Sequence, residues 1–103
     1  MKTRKEILEE FVAQDPNDTF SRYALALELE KENRVSDALP QLREVIVRDP
    51  GLVAAYQQLG RLLAQSGADA EAREIYRQGI SVATGAGDQR ARSEMQLALD
   101  MLD

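Results

Sequence analysis

Residues 15–48 read DPNDTFSRYALALELEKENRVSDALPQLREVIVR, and residues 49–82 read DPGLVAAYQQLGRLLAQSGADAEAREIYRQGISV. Both stretches open on Asp-Pro, with Asp15-Pro16 standing 34 residues before Asp49-Pro50. A chain that copies itself at this period is built from stacked supersecondary units. The copy extends beyond the prolines. A shift of 34 pairs Leu25 with Leu59, Ala26 with Gly60, Leu29 with Leu63, and Asn33 with Gly67. It also pairs Ala38 with Ala72, Leu42 with Tyr76, and Ile46 with Ile80. These are the small and apolar positions that set packing. Surface positions drift between them: Glu30 faces Ala64, and Arg48 faces Val82.

Length and composition agree with a packed helical array. A chain of 103 residues forms one domain that buries about two-thirds of its unfolded surface. Apolar residues make up 44%, enough for a core. The absence of cysteine excludes disulfides and thiolate metal sites. No apolar run approaches the roughly 18 residues of a membrane span. The segment Met1–Glu6 carries basic residues but no apolar stretch of a signal peptide, so a cytoplasmic location is the default expectation. The formal charge of -5 disfavours nucleic acid, whose phosphates would repel the chain.

The periodicity is helical throughout. Thr3 and Glu6 have capping-box spacing ahead of Ile7, Leu8, Phe11 and Val12, so a first helix is expected over about Thr3 to Gln14. Asp15-Pro16 stops it, because the residue before proline is biased away from helix. A second helix starts near the N-cap Asp18 and runs to about Glu32, with Asn33 supplying the left-handed residue after it. The third is expected to open at Ser36 or Asp37. Asp37 is favoured as N-cap, because Pro40 then falls in the first turn, where its missing N–H loses no bond. A fourth helix covers about Leu52 to Gln65, and a fifth starts near Asp69 and ends around Thr84–Gly87. A sixth follows Asp88. No segment alternates apolar and polar residues well enough for a strand.

The second copy reads Tyr56-x2-Leu59-Gly60-x2-Leu63, then Gly67, then Ala72-x3-Tyr76-x2-Gly79-Ile80. This resembles the tetratricopeptide repeat, in which an aromatic, a Leu-Gly pair and an apolar residue precede Ala, an aromatic, a small residue and Pro. Leu59-Gly60 match the Leu-Gly pair, Ala72 the helix-crossing residue, Tyr76 the second aromatic, and Pro50 the terminal proline of the first copy. That first copy is looser: Arg22 stands at the first aromatic, Ala26 replaces Gly, Leu42 replaces the second aromatic, and Val45 replaces the small residue. The second copy has Thr84 where its closing proline would be. The resemblance implies an all-α fold: a right-handed superhelical stack of antiparallel helix pairs, a solenoid of about six helices. It divides a single domain into a half-repeat helix (1–16), two repeats (17–50 and 51–84) and a C-terminal capping helix (85–103). About three repeats are the usual minimum for stability, which this chain reaches only with both flanking helices acting as caps.

The family resemblance places ligands on a concave face lined by the first helix of each repeat. The positions not needed for packing there are Phe20, Tyr23, Leu27 and Glu30, then Ala54, Gln57, Arg61 and Ala64. Such a groove suits a short peptide or partner helix held by apolar contacts, with Arg61 pairing an acidic group. The expected partner-binding residues are Phe20, Tyr23, Leu27, Gln57 and Arg61. Each has a plainer alternative. Phe20 and Tyr23 could complete the packing of the second helix on the first, and Arg61 could be a solvated surface residue. The Lys/Asn/Arg clamp with which some family members grip a C-terminal carboxylate is not matched. The corresponding positions hold Tyr23, Ala24, Leu27, Gln58 and Arg61.

The sixth helix has apolar residues on two sides. Ala91, Met95, Ala98, Leu99 and Leu102 form one stripe at about 100° per residue, while Leu97 and Met101 lie nearly opposite. Leu97-Ala98-x2-Met101 also imitates Leu59-Gly60-x2-Leu63, leaving the register open. The alternative to peptide binding is a self-associating structural protein, dimerising through Leu97 and Met101 or through an open end of the solenoid. Catalysis is poorly provided for. With no histidine and no cysteine, the commonest general base and the thiol nucleophile are missing. Glu28, Glu30 and Glu32 do not face one another on a helix, so they form a solvated face. Gly85-Ala86-Gly87 follows no strand and precedes no Lys-Ser/Thr, which argues against a phosphate loop. No Asp-x-Asp-x-Asp-Gly loop exists for calcium. The expectation is a non-enzymatic interaction module with no cofactor and no metal.

Overall fold

The computed structural model describes residues 1–102. Six helices and no strand occur among the described residues: α1 (Arg4–Gln14), α2 (Thr19–Lys31), α3 (Val35–Arg48), α4 (Val53–Gln65), α5 (Asp69–Gly85) and α6 (Gln89–Leu102). None is long and apolar enough to cross a membrane. The chain forms two compact units, the first Met1–Asp49 and the second from Pro50 onward.

In the first unit α2 packs against both α1 and α3. Thr3 starts α1 with a complete capping box: its hydroxyl accepts from the Glu6 amide at 3.1 Å, and the Glu6 carboxylate accepts from the Thr3 amide at 3.2 Å. Asp18 caps α2, accepting from the Ser21 amide at 3.0 Å and the Ser21 hydroxyl at 2.6 Å. Asn33, at φ 60°, makes the left-handed turn out of α2. The turn is closed by Asn33 N–H donating to the Glu30 carbonyl and Arg34 N–H donating to the Leu29 carbonyl, both at 2.9 Å. Leu25, Ala26, Leu29, Ala38, Leu42 and Val45 are buried.

The start of α3 corrects the expectation for Asp37. The N-cap is Arg34, and α3 begins at Val35. The reason is the tightness of the preceding turn, which ends at Arg34 and leaves no spare residues before the next helix. Asp37 instead sits in the first turn, where a negative charge suits the helix dipole, and it accepts from Arg34 Nε at 2.9 Å. Pro40 therefore lies inside the helix. Position 40 cannot donate to the Ser36 carbonyl, but Pro40 and Ser36 are both exposed, so water can serve that oxygen.

In the second unit α5 packs against α4 and α6, and α4 also touches α6. The α4–α5 turn repeats the α2–α3 turn 34 residues on: Gly67 has φ 81°, and Ala68 N–H donates to the Leu63 carbonyl at 2.9 Å. Two small residues let these helices close on each other. A Cβ on Gly60 would lie 2.6 Å from the Tyr76 ring, and one on Gly79 would lie 2.5 Å from Met95 Sδ and 2.7 Å from Tyr56 Cβ. Tyr56, Leu59, Leu62, Leu63, Ile75 and Met95 are buried in this unit.

The register of α6 is resolved by its burial. Ala91, Met95 and Leu99 are buried as Ala55, Leu59 and Leu63 are in α4, a shift of 36 rather than 34. Two differences account for the extra residues. Helix α5 has 17 residues against 14 in α3, and the connection after it is one residue shorter. Leu97 and Met101 thus take the places of Arg61 and Gln65, and the imitation of Leu59-Gly60 by Leu97-Ala98 has no structural counterpart.

Candidate partner-binding site

The second unit holds an apolar cleft of about 300 Å³. Helix α4 contributes Arg61 and Ala64, α5 contributes Tyr76, and α6 contributes Ala98, Met101 and Leu102. The floor is fixed by packing. Tyr76 is buried because its ring lies over Gly60, where no Cβ competes for the space. The C-terminal end of α6 is tied down by Arg73, whose Nη2 donates to the Leu102 carbonyl at 3.1 Å.

The electrostatics come from one cation beside a phenol. Burial pushes the Tyr76 hydroxyl above its ordinary pKa, and the Arg61 guanidinium opposes that shift in part. Tyr76 therefore stays neutral, and Arg61 supplies the positive charge at the cleft. Gln57, one turn before Arg61 on α4, donates to Glu94 of α6 at 3.2 Å, and Arg90 donates to the same carboxylate at 2.8 Å. The two helices are thus bridged by polar groups at Gln57 and lined with aliphatic groups beyond Arg61.

This geometry joins two sets of residues that the sequence separates. Arg61 belongs to the expected groove and Met101 to the expected self-association surface, yet both line one cleft. Leu97, one turn before Met101 on α6, is 63% exposed, and Met101 is 79% exposed. Gln57 is half-buried and engaged with Glu94. In the first unit, Phe20 is 77% exposed in the first turn of α2, so it does not complete the packing of α2 on α1. Tyr23 and Leu27 follow it on α2 and are half-buried. Tyr76, Ala98 and Leu102 were not among the expected site residues. The 36-residue phase of α6 is the signal that brings Ala98 and Leu102 beside α4, and it is hidden by the stronger 34-residue echo.

The tetratricopeptide repeat family matches residues 2–83 of this chain. The chain is a tetratricopeptide repeat protein. A repeat-containing protein of Pseudomonas aeruginosa is 29% identical over 98 residues, covering 95% of this chain and 93% of its own. The solution structure of a tetratricopeptide repeat domain protein from Salinibacter ruber is 39% identical, with a TM-score of 0.80 over 86% of this chain and 90% of that one. The TPR2B domain of yeast Sti1, solved in a complex named for pHsp70, shares the fold at a TM-score of 0.86 with 17% identity, over 95% of this chain and 78% of that one. The family and the six-helix architecture identify the tetratricopeptide fold as a protein–protein interaction module.

Proposed function

We propose that this tetratricopeptide repeat protein is a non-catalytic recognition module that binds a partner protein or peptide. The binding row comprises Gln57 and Arg61 of α4 with Leu97 and Met101 of α6, and the matching row of α2 is Phe20, Tyr23 and Leu27. The observation that carries this reading is the cleft itself: mostly aliphatic, floored by a neutral tyrosine and marked by one arginine. Such a surface gains from burying apolar groups and selects by a single charge. Affinity capture followed by titration of the captured partner tests it. An Arg61→Glu/Met101→Glu variant should bind that partner at least about tenfold more weakly than the wild type while keeping its helical content. Equal affinity of the two folded proteins would defeat the reading.

The exposure of Leu97 and Met101 supports a second reading, association of two copies through α6. Sedimentation equilibrium up to about 100 μM distinguishes it. A dimer abolished by Leu97→Glu would support self-association, and a monomer throughout would dismiss it.

A further inference from the structure

The cleft and the outer row of α6 bear on the conformation of whatever lies there. Four of the side chains lining the cleft, Ala64, Ala98, Met101 and Leu102, are aliphatic and offer no hydrogen bond. An extended peptide carries a free donor and acceptor at every residue. Along helices whose backbone groups are already paired, it needs polar side chains to satisfy its inward-facing half. Gln57, the next polar group along α4, is already bonded to Glu94. A helical ligand satisfies its own backbone and asks only for apolar contact.

The spacing points the same way. Leu97 and Met101 stand one turn apart on the solvent side of α6, beside the cleft that Met101 lines. A helix laid along this row meets both residues with its own i, i+4 side chains and directs a third into the cleft. Methionine at the mouth adapts to branched or straight apolar groups. Arg61 sets the charge requirement, because an acidic side chain on the edge of the ligand's apolar stripe would face it.

We infer that the second unit takes an amphipathic α-helix of a partner protein, bearing an apolar i, i+4 stripe edged by a carboxylate. This rests on the recognition reading above and adds the conformation and charge of the ligand. The test uses two displayed peptide libraries of equal length selected against the full chain: one stapled into helix, the other made non-helical by a central proline. Each is counter-selected against Leu97→Glu/Met101→Glu. Binders from the stapled library should dominate, carry Asp or Glu beside the stripe, and lose about tenfold or more in affinity on the counter-selection variant. On Arg61→Glu, the preferred flanking charge should change to Lys or Arg. Variant-sensitive binders from the non-helical library alone would overturn the helix inference while leaving recognition through this row intact. No binder sensitive to Leu97 and Met101 from either library would overturn both. Sensitive helical binders indifferent to the charge at position 61 would overturn the carboxylate requirement.

Discussion

Arg22 and Tyr56, 34 residues apart, make the same hydrogen bond. The Tyr56 hydroxyl donates to the Pro50 carbonyl at 2.7 Å, and Arg22 Nη2 donates to the Pro16 carbonyl at 3.2 Å. Each ties the first repeat helix to the proline that precedes it. Arg22 adds a 2.9 Å bond from Nη1 to Gln41 of α3, but its Nε is buried with no partner. The arginine thus replaces the tether of the aromatic and leaves one donor unmet. Arg22→Tyr should restore the tether without the orphaned group and raise the urea midpoint. Tyr56→Phe should lower stability by about 1 kcal/mol. A lower midpoint for Arg22→Tyr would show that the Gln41 bond outweighs the buried donor.

Gly60 and Gly79 should resist substitution for a different reason than turn glycines. Both are helical, so Ala gains about 1 kcal/mol of propensity at either site. Against this, the added methyl would meet the Tyr76 ring at 2.6 Å or Met95 Sδ at 2.5 Å. Overpacking of this kind costs about 1–3 kcal/mol, so both variants should be destabilised. Gly85→Ala, with nothing within 4 Å, should be neutral to stabilising. The first copy already holds Ala26 with Leu42 where the second holds Gly60 with Tyr76. Gly60→Ala/Tyr76→Leu should therefore be more stable than the two single changes summed, by chemical denaturation. Simple additivity would disconnect the two positions.

The fold was legible because one period governs both copies. Leu25/Leu59, Ala38/Ala72 and Asn33/Gly67 hold the same burial or the same left-handed backbone. What the pattern misplaced were features set by turn length. Arg34 rather than Asp37 caps α3 because the turn after α2 closes within three residues. The candidate site was half visible. Arg61 and Met101 were each suspect, but their meeting depends on the three extra residues of α5, which rephase α6. A repeat read at a fixed shift cannot register that change.

Buried Tyr76 makes an alkaline prediction. Its pKa is raised above 10.0 in the folded state, by burial and in spite of Arg61. The folded protein then holds the phenolic proton more tightly than the unfolded chain. The resulting stability is fully present below about pH 10 and is lost as pH rises through the higher folded value. Tyr76→Phe should flatten this alkaline limb. At the other end, the Ser21 hydroxyl and amide lower the pKa of Asp18, and the Thr3 amide and hydroxyl lower that of Glu6. Their contributions are present above the usual carboxylate range and fade as pH falls through the lowered values. Asp18→Asn should reduce the acid dependence. Denaturation midpoints between pH 2 and 11 measure both limbs, and an unchanged alkaline slope in Tyr76→Phe would refute the assignment.

The turns out of α2 and α4 invite a direct comparison of backbone strain. Asn33 at φ 60° and Gly67 at φ 81° occupy equivalent left-handed positions, and the flanking hydrogen bonds coincide residue for residue. A left-handed conformation costs an L residue about 1 kcal/mol, less for asparagine, and glycine nothing in sterics. Glycine loses part of that advantage through its greater freedom when unfolded. Asn33→Gly should therefore stabilise modestly, by about 0.5 kcal/mol, and Gly67→Ala should destabilise by about 1 kcal/mol or more. No side chain lies within 4 Å of a Cβ on Gly67, so the loss would come from the backbone alone. Gly67→Asn should then fall between Gly and Ala in thermal midpoint. An alanine as stable as glycine at 67 would mean that the turn relaxes out of the left-handed region when pressed, and a fixed backbone angle would no longer explain the parallel with Asn33.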